Sequence, residues 1–215
     1  TYYNEFLWEW NPKRIAIWSL VTPICVVGLV ALAPFIAYGR NKKRITVGIF
    51  FTTIVVGPIP VALRLIDYYY GTNILPENGT SALWWIWGLH GSLMASLGAL
   101  GFVFISSMSM DIVEQVEDST GRREEGLLGT VSSFVHKVVG GGGVLIAGLI
   151  LSVSGFDDPN LVGELKGEVI NQFAFIHLLI GLGLPIISTS LVLMYDIDRS
   201  KHNDHISDLG YVNKD

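Results

Sequence analysis

The sequence predicts an all-α membrane protein with five transmembrane helices. Half of its 215 residues are hydrophobic and only 15% are charged, against about 25% charged in an ordinary soluble domain. The apolar residues gather in five runs, roughly 15–38, 45–70, 83–108, 127–153 and 171–195. Each run meets the ~20 residues that an α-helix needs to cross a hydrocarbon core of about 30 Å. Helices are expected because they satisfy their own backbone polar groups in lipid.

Residues 1–13 precede the first run and carry the aromatic cluster Tyr2, Tyr3, Trp8 and Trp10, a composition suited to a membrane–water interface. The opening Thr1-Tyr2-Tyr3-Asn4-Glu5 lacks the features of a signal peptide and reads as the middle of a longer polypeptide. The first run contains the single cysteine, Cys25, expected as a small apolar core residue. No disulfide framework or thiolate metal site can be built from one cysteine. A short basic loop, Gly39-Arg40-Asn41-Lys42-Lys43-Arg44, leads to the second run. There Pro58 and Pro60 should kink the helix just before Arg64. Arg64 is either paired with Asp67 at i+3 or placed at the rim of a solute pathway.

The third run contains His90 and ends in the polar block that separates it from the fourth. That block reads Asp111-Ile112-Val113-Glu114, then Thr120-Gly121-Arg122-Arg123-Glu124-Glu125-Gly126, and is expected as a tight charged loop. The fourth run carries Lys137 about ten residues into its helix. A lysine at that depth costs roughly 2.5–3.5 kcal/mol to insert and usually faces a cavity or a partner carboxylate. Its helical neighbours Thr130, Ser133, Gly140 and Gly141 form a small, polar stripe. Gly140–Gly143 suggests a hinge or packing seam, since no strand precedes it and no Lys-Ser/Thr follows it as a phosphate loop requires. The fifth run carries His177 at a depth similar to that of His90. A polar tail, 196–215, follows the bundle, which spans 14–195.

Basic residues set the orientation. Nine of the fourteen fall at the ends shared by loops 39–44, 120–126 and the tail, and three (Lys13, Arg14, Lys166) fall at the other ends. The positive-inside rule then places the tail in the cytoplasm and the loops near 71–82 and 156–170 outside. Asn78-Gly79-Thr80 is formally a glycosylation sequon on that outer side. No Lys/Arg stripe with interleaved aromatics is present, which argues against nucleic acid. No Ser/His/Asp or Cys/His triad and no H-E-x-x-H stands in the chain, so no enzyme is expected and no metal site is predicted. The residues leave three classes open. One is a secondary transporter, another a haem-binding subunit of a redox complex using His90 and His177, and the third a non-catalytic membrane assembly protein.

Ser109 to Glu114, then Thr120 to Leu127, then Lys137 before a run of small residues together resemble a signature of the glycoside–pentoside–hexuronide:cation symporters. These form the melibiose-carrier-like branch of the major facilitator superfamily. Asp111, Glu114, Thr120, Gly121, Arg123, Glu125, Gly126 and Lys137 stand at the motif positions, and Gln115 departs from the acidic-Tyr pair frequent there. The loop with Arg40 and Arg44 resembles the one between the eighth and ninth helices, and Asp196 to His202 resembles the tail after the twelfth. The resemblance implies helices 8–12 of a twelve-helix transporter in the cell (inner) membrane, moving a sugar or glycoside with Na+ or H+ by alternating access. It implies no other cofactor. It places the main cation-site carboxylates in an N-terminal helical half, outside this chain, without which the chain is not expected to transport. Lys137, Ser133, Thr130, His90, His177 and Arg64 become candidates for the coupling or solute cavity. Asp111, Glu114, Thr120, Gly121, Arg123, Glu125, Gly126, Arg40 and Arg44 become candidates for a cytoplasmic gate.

Overall fold

A computed structural model describes residues 3–122, 125–155 and 167–194. A short π-helix, Tyr3–Leu7, opens the chain. It is followed by α1 (Pro12–Ala31), α2 (Ala33–Ala37), α3 (Lys42–Val56), α4 (Ile59–Tyr70), α5 (Ser81–Thr120), α6 (Glu125–Val153) and α7 (Gly167–Leu193). These elements form five spans long and apolar enough to cross a membrane: Pro12–Ala37, Lys42–Tyr70, Ser81–Glu117, Glu125–Val153 and Gly167–Leu193. The chain is an all-α membrane protein.

Side-chain caps start three of the helices. Asn11 Oδ1 accepts from the Lys13 amide at 3.0 Å, Asn41 Oδ1 from Arg44 at 3.3 Å and Thr80 Oγ1 from Leu83 at 3.4 Å. Proline accounts for the breaks. Pro34 follows the junction of α1 and α2, and Pro58 and Pro60 divide α3 from α4. By contrast α5 runs 40 residues without interruption, because no proline occurs in it. It ends where Gly121 turns left-handed at φ 66° and donates to the Glu117 carbonyl at 2.8 Å. The polar block expected as one loop is therefore mostly helix: Asp111 through Thr120 is the last part of α5.

The bundle is organised on α5, against which α1 and α3 pack, while α3 and α4 also pack on α7. Small residues set those approaches. Trp18 of α1 fills the space above Gly88, where an added Cβ would lie 1.7 Å from the indole. Phe50 of α3 does the same at Gly101, 2.9 Å from the position of a Cβ. Thr22 and Ser92 share a 2.8 Å hydrogen bond across the α1–α5 seam. One core cluster joins Leu7, Trp8, Trp10, Val61, Leu65 and Leu83 at the end that carries loop 71–80. A smaller one (Ala33, Ile49, Leu100, Phe104) lies toward the opposite end. Trp8 and Trp10 are buried in the first cluster, and Cys25 is exposed on α1 rather than in a core. Helix α6 touches α5 and α7 only sparsely. Its Gly140–Gly143 run lies in continuous helix with nothing near enough to pack on it.

Replacing Gly88 with alanine should force Trp18 out of its slot and destabilise the bundle by about 1–3 kcal/mol. Thermal unfolding in detergent measures this, and a Trp18→Ala, Gly88→Ala double variant should lose less than the two single losses added together.

Candidate functional site

The α3–α4 break creates the central feature. A helix would pair the Val56 carbonyl with the amide of residue 60, but Pro60 has no N–H. His90 of α5 takes that place, its Nε2 lying 3.0 Å from Val56 O. A carbonyl only accepts, so Nε2 carries the proton and donates. Beside this contact lies a cavity of about 570 Å³ between the α3–α4 junction, α5 and α7. Thr53, Trp87, His90 and His177 line it, and Asn4 and Trp8 of the N-terminal segment border it as well. His90 and His177 therefore share one cavity. The Nε2 of His90 is already committed to a backbone carbonyl, which removes the nitrogen that a haem clamp would use.

Of the two roles weighed for Arg64, a direct hydrogen-bonded pair with Asp67 is not among its contacts; the two charges attract across the helix face, and each ties down a different part of loop 71–80. Arg64 Nη2 donates to Pro76 O at 3.0 Å and to Asn78 Oδ1 at 2.9 Å. Asp67 accepts from Thr72 Oγ1 at 2.7 Å, Ile74 N at 2.8 Å and Leu75 N at 2.9 Å. The loop's own donors win because several unpaired amides outbid one exposed ion pair. The Arg64 guanidinium also lies over the Trp8 ring, 5.3 Å from its centroid. Asn78 Nδ2 donates in turn to Leu7 O at 3.2 Å and Glu9 Oε1 at 3.1 Å, so the sequon asparagine is tied into the fold. Arg14 donates to Gly79 O and lies 6.0 Å from the Trp10 ring centroid. Loop and N-terminal segment thus close together over the cavity's border.

At the opposite end of the bundle Lys42 Nζ meets Asp111 Oδ1 at 2.7 Å, joining the start of α3 to α5. Asp111 is buried. The sequence pointed to Asp111 but to Arg40 and Arg44 rather than Lys42. Both arginines are exposed, and no ion pair of either is found among the described residues. Thr120 Oγ1 donates to Val116 O at 2.7 Å and accepts from Arg122 N at 3.3 Å, closing the end of α5. Glu114 is half-buried on α5, and Glu125 and Gly126 begin α6. Arg123, Lys166 and the tail 196–215 lie outside the described residues.

Lys137, Ser133 and Thr130 all stand exposed on α6, away from the His90–His177 cavity, and Thr130 Oγ1 donates to Gly126 O at 2.8 Å. Within this chain the candidate set therefore separates into three places: the cavity, the Arg64 network beside it, and the open face of α6. Sequence reasoning missed Trp8, Trp87, Asn4, Thr53, Asn78 and Lys42. For Asn78 a signal existed, since an asparagine before glycine in a polar turn is a common side-chain partner of nearby backbone.

A search of curated proteins and a search of solved structures each return no match. The family model described as MFS/sugar transport protein matches residues 1–199. With five spans, three of which line the cavity, and that match over nearly its whole length, the chain belongs to the MFS/sugar transport protein family.

Proposed function

We propose that the chain is one wall of a cation- or proton-coupled symporter that carries a sugar or glycoside-like solute by alternating access. The cavity of about 570 Å³ carries this reading. It has the size of a ligand site, roughly 300–1,000 Å³, and mixes an apolar, aromatic lining with a few polar groups. His90, His177, Asn4 and Thr53 supply those groups. In this reading the cytoplasmic side is the one with the basic loop and the tail, and the membrane is the cell (inner) membrane.

A second helical half, with the coupling-ion carboxylates, forms the facing wall at the midplane. The open face of α6 then turns toward that half, and Lys137 balances a carboxylate there as the Na+ or H+ binds. Such a partner accounts for a charged residue and a glycine run on a helix that packs so little within its own chain. The Lys42–Asp111 pair serves as a cytoplasmic contact that holds α3 to α5 while the cavity is closed on that side. Thr120, Gly121, Glu125 and Gly126 shape the turn beside it, with Glu114, Arg123, Arg40 and Arg44 available to remake contacts as the halves rock. These roles involve binding and gating only, with no bond-making step.

Two outcomes follow. Lys137→Ala in the full-length protein should reach normal membrane abundance but lose coupled uptake; normal uptake with unchanged cation dependence would return Lys137 to a structural role. Asp111→Asn should lower uptake severalfold, since it removes the carboxylate charge that Lys42 Nζ meets at 2.7 Å. Radiolabelled uptake in proteoliposomes reads both, and the exchange Lys42→Asp with Asp111→Lys should regain part of the second loss.

A further inference from the structure

Beside the cavity, and separated from it by the segment that carries Leu7 and Trp8, lies a second and more polar pocket of about 360 Å³. Its lining includes Glu9, Arg64, Asp67, Tyr68, Asn73 and Asn171. We propose that this pocket is an outer docking site for a neutral, hydroxyl-rich ring such as a pyranose, occupied before the solute passes to the cavity. The inference deepens the transport reading above and rests on it.

The hydrogen-bonding groups support that ligand class. Arg64 spends Nη2 on the loop, and its Nε is buried beneath the pocket surface, so the guanidinium reaches a ligand only through its terminal nitrogens. Asn171 is only 6% exposed, and its Nδ2 donates to Gly167 O at 2.6 Å. No hydrogen bond to its Oδ1, and none to the Asn73 amide, is found among the described residues. The pocket thus presents donors and acceptors from arginine and amides, the complement of a hydroxyl that both gives and takes a proton. The charges argue against an ionic ligand. Two carboxylates against one guanidinium disfavour an anion, and the carboxylates are already engaged, Asp67 accepting three hydrogen bonds and Glu9 one. Tyr68, about half exposed, adds a flat apolar surface for the carbon face of a ring.

The pocket is also joined to the cavity's border. The same Arg64 that faces it holds the Trp8 ring on its other side. The segment around Trp8 departs from regular backbone twice, as a π-helix over Tyr3–Leu7 and at Glu9, where φ is 54°. Both are uncommon conformations for such residues and concentrate where a segment must rearrange. A solute hydroxyl that engages Arg64 competes with its loop and ring contacts and loosens Trp8, so docking outside and opening of the cavity use one side chain.

The test is saturation-transfer NMR with D-glucose on the full-length protein in nanodiscs. It compares the wild type, a cavity-filling Gly91→Phe variant, and Asn73→Ala and Asn171→Ala placed in that filled background. Transfer to D-glucose should persist in Gly91→Phe and fall about fivefold on removal of either amide, the effect of losing one hydrogen bond. Absence of transfer in Gly91→Phe, or transfer unchanged by both amide variants, would overturn the site. If Asn171→Ala fails to accumulate, exposed Asn73→Ala decides alone. Uptake by the wild type is scored separately: uptake without transfer in the filled variant removes the docking site and keeps the transporter, whereas transfer without uptake supports the site and removes the transport reading.

Discussion

Pro60 cannot give an amide proton to the carbonyl of Val56, and much of the molecule is arranged around where that carbonyl finds one. In a low-dielectric interior a stranded carbonyl costs several kcal/mol. His90 supplies the missing donor from another helix at 3.0 Å. The contact fixes the histidine tautomer, sets the spacing of α5 from the α3–α4 break, and leaves room beside the break for the cavity. A regular helix through residues 56–60 would need no such partner and would leave no such space.

The two ends of the bundle are held by different physics. At the loop 71–80 end the contacts are aromatic packing, cation–π geometry and neutral or charge-assisted hydrogen bonds, spread over Trp8, Arg64, Asn78 and Arg14. At the other end the Lys42–Asp111 ion pair joins the start of α3 to α5, beside the apolar cluster of Ala33, Ile49, Leu100 and Phe104.

The spans were legible because apolar runs of sufficient length have few alternatives, and the proline break was legible because the missing N–H is a property of the residue itself. The end of α5 was not, since polarity at Asp111 and Glu114 marks departure from lipid but not departure from helix. Spacing could not decide between the two roles open to Arg64, a pair with Asp67 or a place at a pathway rim, for a related reason. Spacing along one helix sees only local partners, whereas loop amides brought back by tertiary folding competed for both side chains. The shared depth of His90 and His177 could be counted along the sequence; that they line one cavity depends on how α7 packs, which counting does not reveal. For Lys137 the sequence named an unusual residue, and the fold adds that its helix is open on nearly every side.

The uninterrupted 40 residues of α5 have a mechanical meaning. At 1.5 Å per residue the helix is about 60 Å long, roughly twice the hydrocarbon thickness. Its apolar run, 83–108, takes up about 39 Å, so residues 109–120 carry about 18 Å of helix past it, and a tilt of about 10° at the contact of Trp18 with Gly88 sweeps the tip through roughly 5–10 Å. A small change of angle at that contact is magnified along α5, and the Lys42–Asp111 pair lies on the stretch where the displacement grows.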